Sequence, residues 1–290
     1  MNENVSESAL AHPVEAFANE IEQRGVLVAD NVNRLPIYGE PYISDSLVIT
    51  ICHRGVSHGE YDMQPVTFTS HDFSVIYPNH AILALDSSDD YCVTLIVMSA
   101  GFYEQLRHRF TYGNSHVFHS RPKFHLTDRQ YECVCDVVRL LKTVSRMDFT
   151  RSKEAIAIIV DVFSLMADEF LRQNEGNTAD SEEALSRIYF NRFYECLVGH
   201  YRESREVGYY VRELGLSPKY FGSLIKKETG VSAGEWIARY IVIQAKTLLR
   251  YRADLSVQQV SDLLGFAEQA SFSRFFKQQT GLSPKEYRLC

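Results

Sequence analysis

An internal repeat near the C-terminus constrains the fold of this chain more than any other feature. The segment from Phe221 to Ser232 aligns without a gap with the segment from Phe272 to Ser283, 51 positions later. Phe, an apolar pair, Lys and then Thr-Gly-apolar-Ser recur at the same offsets. Each copy predicts a short helix, a glycine turn and a second helix, the layout of a helix-turn-helix. Two such units in tandem predict a domain that reads two successive segments of the DNA major groove.

Local signals define where the helices of this region begin and end. A capping residue precedes Pro at Ser217-Pro218 and Ser283-Pro284. Capping-box pairs are formed by Ser232 with Glu235 and by Ser256 with Gln259. Gly230 and Gly281 stand where a helix should end. These signals predict helices at residues 183–202, 207–214, 218–229, 233–250, 257–264, 268–279 and 284–288. The helix between the two units would be roughly 25 Å long. That length suits two recognition helices in grooves about 34 Å apart.

Within each unit, apolar positions are expected to pack the two helices together, leaving polar positions between them. The predicted packing positions are Leu214, Leu216, Phe221, Leu224 and Ile225, then Val260, Leu264, Phe266, Phe272, Phe275 and Phe276. The predicted DNA-contacting residues are Lys219, Tyr220, Ser223, Lys226, Gln269, Ser271, Ser273, Arg274 and Lys277. Gln suits adenine, Arg suits guanine, and Lys near a helix end suits phosphate. The alternative interpretation is an ordinary solvated helix face.

Longer motifs in the same region are typical of a known family. They are Lys226–Gly230, Ala245-Lys246 with Leu248 and Leu249, Leu264-Gly265-Phe266, Ser271–Lys277 and Thr280–Arg288. With them, the last hundred residues or so resemble the DNA-binding domain of the AraC/XylS-type transcription regulators. The resemblance implies two helix-turn-helix units joined by one helix and bound to promoter DNA.

Two positions depart from the family pattern. Gly222 and Ser223 are small where such regulators often carry longer polar side chains, so the first unit is expected to read few bases. Ile241 stands where the family usually has Arg, which argues against a salt bridge or phosphate contact there.

The N-terminal part has a different pattern, with short β-branched and aromatic runs up to about residue 99. The runs at 47–52, 66–68, 73–77, 81–85 and 91–98 predict strands of a sandwich or small barrel. Apolar stripes then predict two long helices, one with Val134, Val138 and Leu141 and one from Ile156 to Phe170. We expect an antiparallel hairpin that covers the sandwich or pairs with a second subunit. An earlier segment, Leu10 to Ile21, also has helical spacing.

The family resemblance is weaker here and implies a cupin-like effector-sensing domain followed by dimerisation helices. The segment from His71 to Pro78 resembles a strand and turn of such a domain. The expected fold class is therefore α+β, with a cupin-like β-sandwich or barrel and helical hairpin before the all-α domain. The predicted boundaries are 1–172, a polar linker at 173–182 and 183–290. A ligand pocket is expected inside the barrel.

Charge and residue usage support this division and limit the classes of function. Residues 183–290 carry 16 Lys and Arg against 11 Asp and Glu, whereas the whole chain has a net charge of −7. A basic module on an acidic body is typical of a DNA-binding domain on a regulatory one. His53 and His58 lack the i, i+2 spacing of paired strand ligands, so no metal, cofactor or catalytic set is expected.

The remaining composition predicts a cytoplasmic protein. The polar N-terminus has no secretory pattern, and no apolar run is long enough to span a membrane. The six cysteines suggest no disulfide framework or metal site, and a reduced state is expected.

Together these features predict a sequence-specific transcription regulator. Its expected partners are double-stranded promoter DNA, a second copy of the chain and an unidentified small-molecule effector, with RNA polymerase as a further candidate. Two other classes stay open: a cupin-type enzyme with a helical appendage, and an adaptor whose helical tail binds a protein.

Overall fold

The computed structural model describes residues 25–33, 39, 41–106, 123–147, 150–175 and 182–289. The chain divides into two compact units, here the N-terminal and C-terminal domains, which meet in sequence between residues 178 and 179. Two short segments, 40–43 and 62–64, group with the C-terminal domain. The helical segment predicted from Leu10 to Ile21 and most of the predicted linker lie outside the described residues. The linker and domain boundaries therefore stay a prediction.

The strands in the described part of the chain form two sheets. The strands are β1 Val26–Val32, β2 Tyr42–Ile43, β3 Leu47–Arg54, β4 Val56–Tyr61, β5 Gln64–Thr69, β6 Asp72–Ile76, β7 Ala81–Ser87, β8 Cys92–Met98 and β9 Lys123–His125. The five-stranded sheet has the order β1-β8-β3-β6-β9, and the four-stranded sheet the order β2-β7-β4-β5. The pairs β1–β8, β3–β8, β3–β6, β4–β7 and β6–β9 are antiparallel. The α+β fold class is confirmed.

The helices described in the N-terminal domain are α1 Ala100–Leu106, α2 Asp128–Arg146 and α3 Ser152–Glu175. The first turn of α2 is fixed by a capping box, in which the Thr127 hydroxyl accepts from the Gln130 N–H and the Gln130 side chain accepts in return. The Gln130 amide also donates to Gln173 Oε1 at 3.1 Å. Because this bond joins the start of α2 to the end of α3, the predicted antiparallel hairpin is confirmed.

The hairpin packs on one face of the five-stranded sheet. Side chains alternate along β3, and its odd-numbered residues Leu47, Ile49 and Ile51 are buried in one cluster with apolar side chains of both helices. Val134, Val138 and Leu141 belong to the same cluster, as the stripe on α2 predicted. The opposite side of the strand carries Thr50, whose hydroxyl pairs with that of Ser74 at 3.1 Å.

The C-terminal domain consists of helices in its described part from residue 182 onward. They are α4 Glu182–His200, α5 Val207–Glu213, α6 Pro218–Thr229, α7 Ala233–Tyr251, α8 Val257–Leu263, α9 Gln269–Thr280 and α10 Pro284–Leu289. Each bound lies within two residues of the one predicted from capping signals. The pairs α5–α6 and α8–α9 are the two helix-turn-helix units, and α7 joins them. No helix in the described ranges is long and apolar enough to cross a membrane.

Candidate nucleic-acid interface

The second helix of each unit, α6 and α9, ends in the same way. Gly230 (φ 76°) and Gly281 (φ 81°) both adopt the left-handed conformation. Their N–H groups donate to the carbonyl oxygens of Lys226 and Lys277, at 2.9 Å in each case. The repeated Thr-Gly sequence thus makes the two helices end at equivalent positions, 51 residues apart.

The buried sides of α6 and α9 hold them in place through aromatic contacts. Phe221 of α6 lies 5.2 Å, between ring centroids, from Phe193 of α4. Phe272 and Phe276 of α9 are buried, with Phe266 5.3 Å from Phe272. Of the predicted packing positions, Leu216 and Phe275 are half-buried and the others are buried.

The opposite sides of α6 and α9 present equivalent rows of exposed residues. On α6 the row is Lys219, Ser223 and Lys226, and on α9 it is Ala270, Arg274 and Lys277. The spacing i, i+4, i+7 places each row on one helix face. Arg274 occupies the centre of its row, where the first unit has Ser223. The Ser223 hydroxyl donates to the Tyr220 carbonyl oxygen at 3.1 Å, so its hydrogen is already used.

The remaining predicted residues lie beside these rows. Gln269 and Ser271 are exposed in the first turn of α9, whereas Ser273 is half-buried at the side of the face. Tyr220 is 44% exposed, and its ring meets the ring of Tyr189 edge-on at 6.0 Å. The structure therefore brings all nine predicted residues to the surface, although Ser273 only in part.

One cation beside the first recognition helix was not predicted. The exposed Arg192 lies on α4 with its guanidinium 5.9 Å from the ring centre of Tyr189, which in turn contacts Tyr220. A single Arg in a helix that precedes the repeat gives no sequence signal for this placement.

A short segment between α4 and α5 connects the two helix-turn-helix units. Arg205 donates through Nη2 to the Leu264 carbonyl oxygen at 2.7 Å, and its guanidinium lies 3.6 Å from the centre of the Phe266 ring. Burial lowers the pKa of Arg205. At Gly265 (φ 72°), a Cβ would lie 2.0 Å from the Arg202 carbonyl oxygen. The turn of the second unit therefore packs directly against this segment.

Ile241, which stands where the family pattern usually has Arg, is buried in the structure. Ile241 is 1% exposed within α7, in the core of the C-terminal domain. An apolar side chain is consistent with that burial, because an unpaired charge there would lose its hydration.

No metal-binding cluster is evident in the parts of the chain that the structure describes. They contain no group of three or more His, Cys, Asp or Glu residues that could hold a metal ion. Burial raises the pKa of the Cys52 thiol to about 11, so this thiol is protonated at neutral pH.

Comparison with known proteins identifies the same region. A family model described as a helix-turn-helix domain matches residues 210–289. The uncharacterized transcriptional regulatory protein YesN of Bacillus subtilis is 36% identical over 76 residues, which are 26% of this chain and 21% of that protein. The arabinose operon regulatory protein of Escherichia coli is 37% identical over 73 residues, 25% of each chain.

A longer match extends into the N-terminal part. The uncharacterized HTH-type transcriptional regulator YijO of Escherichia coli is 29% identical over 152 residues, 51% of each chain. The matched segments span about a fifth to a half of the length of these relatives.

Proposed function

We propose that this chain, whose C-terminal domain is a tandem helix-turn-helix domain of the AraC/XylS type, is a sequence-specific regulator of transcription. The observation that carries the proposal is the equivalent placement of two exposed helix faces, each fixed by the same glycine and threonine cap. Relatives that share this domain are named as regulators, including that of the arabinose operon. The DNA would be double-stranded, because the recognition helix of such a unit lies in the major groove.

The exposed faces of α6 and α9 would contact different parts of the DNA. Arg274 has the guanidinium fork that contacts guanine O6 and N7, and it stands at the centre of the α9 face. Ser223 at the equivalent place is short and its hydroxyl donates within the helix. The first unit would therefore contribute phosphate contacts from Lys219 and Lys226, and the second unit most of the base reading.

The test is selection of genomic DNA fragments by the purified full chain, followed by sequencing. We expect two recurrent boxes about one helical turn apart, about 34 Å. The Arg274→Ala variant should blur the box read by α9 and leave the other unchanged. Arg129→Ala, which removes an exposed Arg from α2, is the matched control and should select the same boxes as the unaltered chain. A blurred motif in the control, or an unchanged one in Arg274→Ala, would show that the base-reading assignment is wrong.

A homodimer is the second part of the proposal. Helix α3 carries three large apolar side chains, Ile158, Val162 and Leu165, that are 61%, 44% and 53% exposed. Their spacing of i, i+4 and i+7 forms one stripe, as in the seam of a coiled coil. A second copy of the same stripe would bury these side chains symmetrically.

The other classes make distinct predictions. A cupin-type enzyme would copurify with a transition metal or show turnover. A protein adaptor would show a shallow dependence of DNA binding on salt, since phosphate contacts make affinity fall steeply. We propose a regulator that acts in the cytoplasm, responds to a small molecule bound by the N-terminal domain and contacts RNA polymerase at the promoter.

A further inference from the structure

A cavity lies between the five-stranded sheet and helix α2 of the N-terminal domain. Its volume is about 240 Å³, and it is lined by Asp30, Asn31, Ile51, His53, Thr94, Cys135, Val138, Arg139 and Lys142. Ile51 and Thr94 are register partners on β3 and β8, on the sheet face that packs against the hairpin. The cavity is thus on the helix side of the sheet, whereas the sequence suggested a pocket inside the barrel.

The strand at its rim is irregular. The register of β1 against β8 shifts between Ala29 and Val32. Within this bulge Asn31 has φ 56°, in the left-handed region that few residues other than glycine adopt. Bulges redirect side chains and occur preferentially beside functional sites. Here the bulge contains two polar residues of the cavity, Asp30 and Asn31.

A chain of hydrogen bonds fixes the polar groups of one wall. Thr94 Oγ1 donates to Asp30 Oδ1 at 3.1 Å, so it must accept from His53 Nε2 at 2.7 Å. His53 Nδ1 then accepts from the Tyr131 hydroxyl at 2.6 Å. This arrangement requires a neutral imidazole, and burial followed by the nearby Arg54 lowers the pKa of His53 in agreement. The wall therefore presents ordered groups, of which Thr94 and His53 are uncharged and Asp30 is a carboxylate.

The charges that line the cavity leave one cation without a buried partner. Lys142 forms an ion pair with Asp30 inside the cavity. Among the residues that the structure describes, Arg139 pairs with Asp136, also on α2, at 2.9 Å, and the two side chains are 74% and 67% exposed. An exposed pair of this kind contributes little to stability, so a ligand carboxylate can replace Asp136 readily. The charged residues that line the cavity are Asp30, Arg139 and Lys142, so the lining carries an excess of one positive charge.

We propose that this cavity binds a small hydroxycarboxylate. Its carboxylate would accept both hydrogen bonds of the Arg139 guanidinium fork. Its hydroxyl groups would meet Asn31 and Thr94, and its carbon chain would lie on Ile51 and Val138. The volume of about 240 Å³ is below the 300–1,000 Å³ usual for drug-sized ligands, so the occupant is a small metabolite.

Such a ligand would bridge the sheet and α2, which belongs to the hairpin whose α3 carries the proposed dimer stripe. Calling it an effector rests on the proposed function; the binding itself does not. The proposed DNA-binding function and the proposed ligand site can therefore be contradicted independently. If the chain selects DNA but binds no hydroxycarboxylate, only the ligand site is wrong.

The test measures binding by isothermal titration calorimetry on the full chain without DNA. The probes are lactate, malate and gluconate, with sorbitol as the neutral counterpart of gluconate. We expect at least one hydroxycarboxylate to bind and sorbitol to bind at least tenfold more weakly than gluconate. Arg139→Gln should weaken binding of the best probe at least tenfold. Arg129→Gln, an exposed position on the same helix that does not line the cavity, should leave it unchanged.

Three results would overturn the proposal. The first is no heat of binding from any of the three acids at about 10 mM, a concentration at which an affinity on the order of millimolar is detected. The second is equal affinity for gluconate and sorbitol. The third is equal affinity in Arg139→Gln and the unaltered chain. Thermal unfolding of both variants serves as the check of folding, since neither substitution touches the core.

Discussion

At the scale of single residues, the exposed rows of α6 and α9 carry different side chains at their centres. The terminal glycines, the lysines one turn before them and the buried pair Phe221 and Phe272 repeat, but Arg274 corresponds to Ser223. An Arg side chain reaches a base edge and offers a two-point contact, whereas this Ser donates to its own helix backbone. We therefore expect selectivity for DNA sequence to depend mainly on one side chain of the second unit.

Arg274→Ala and Lys226→Ala should affect DNA binding in different ways. Arg274→Ala should weaken binding to the preferred sequence by about 1–3 kcal/mol and relax the choice of base at one position. Lys226→Ala removes a cation that we propose contacts phosphate, so it should weaken all sequences similarly and reduce the salt slope by about one. Titrations of matched and mismatched duplexes at several salt concentrations measure both. Equal losses on both duplexes for Arg274→Ala would contradict its assignment.

His53 makes the stability of the N-terminal domain depend on pH. Its pKa in the folded protein is lowered from the ordinary histidine value of 6.5, mainly by burial. The unfolded chain therefore binds more protons below about pH 6.5, and stability falls as the pH decreases through this range. Urea unfolding between pH 7.5 and pH 5 should show this fall, and His53→Gln should reduce it. His58→Gln, at an exposed position, should leave the fall as it is.

At the scale of elements, a single glycine determines how closely the second unit packs. Gly265→Ala combines a left-handed backbone with a Cβ 2.0 Å from the Arg202 carbonyl oxygen, so the turn must move. We expect a loss of more than about 2 kcal/mol in the free energy of unfolding. Gly281→Ala is the control, because φ is 81° there but no atom lies within 4 Å of the added Cβ. Its cost should be about 1 kcal/mol, from backbone strain alone.

Chemical denaturation of both variants gives the comparison. Equal losses would mean that strain at positive φ, and not contact with the segment around Arg202, explains the effect at Gly265.

The elements also show what the sequence could predict. Helix bounds in the C-terminal domain were predictable because Ser217, Ser256 and Gly230 act through local hydrogen bonds that depend on few neighbours. Strands β1, β2, β4 and β9 were not predicted. In β4, His58, Gly59 and Glu60 interrupt any apolar alternation, and pairing with β7 rather than local preference makes this segment a strand.

The same limit applies to the two sites. The exposed faces of α6 and α9 could be predicted because helical spacing and the repeat place them. The cavity could not, because Asp30, His53, Thr94 and Arg139 come from four separate elements whose proximity is set by strand register and helix packing.

At the scale of the whole molecule, the α3 stripe predicts the state of association. Val162→Glu would place a carboxylate within an apolar contact, so the dimer should dissociate at least tenfold more readily. Analytical ultracentrifugation measures the association, and Lys153→Glu on the same helix but off the stripe is the control. A chain that is monomeric at all concentrations, or a variant that associates as before, would overturn the assignment of this surface.

The contact of Arg205 and Arg202 with the turn at Gly265 has a consequence for promoter architecture. The two helix-turn-helix units share α7 and this segment, so the distance and rotation between their recognition helices are fixed. An insertion of about five base pairs between the two boxes turns one of them to the opposite side of the duplex, because a full turn takes about 10–10.5 base pairs. We therefore expect DNA binding to tolerate base substitutions in the first box far better than insertions or deletions between the boxes.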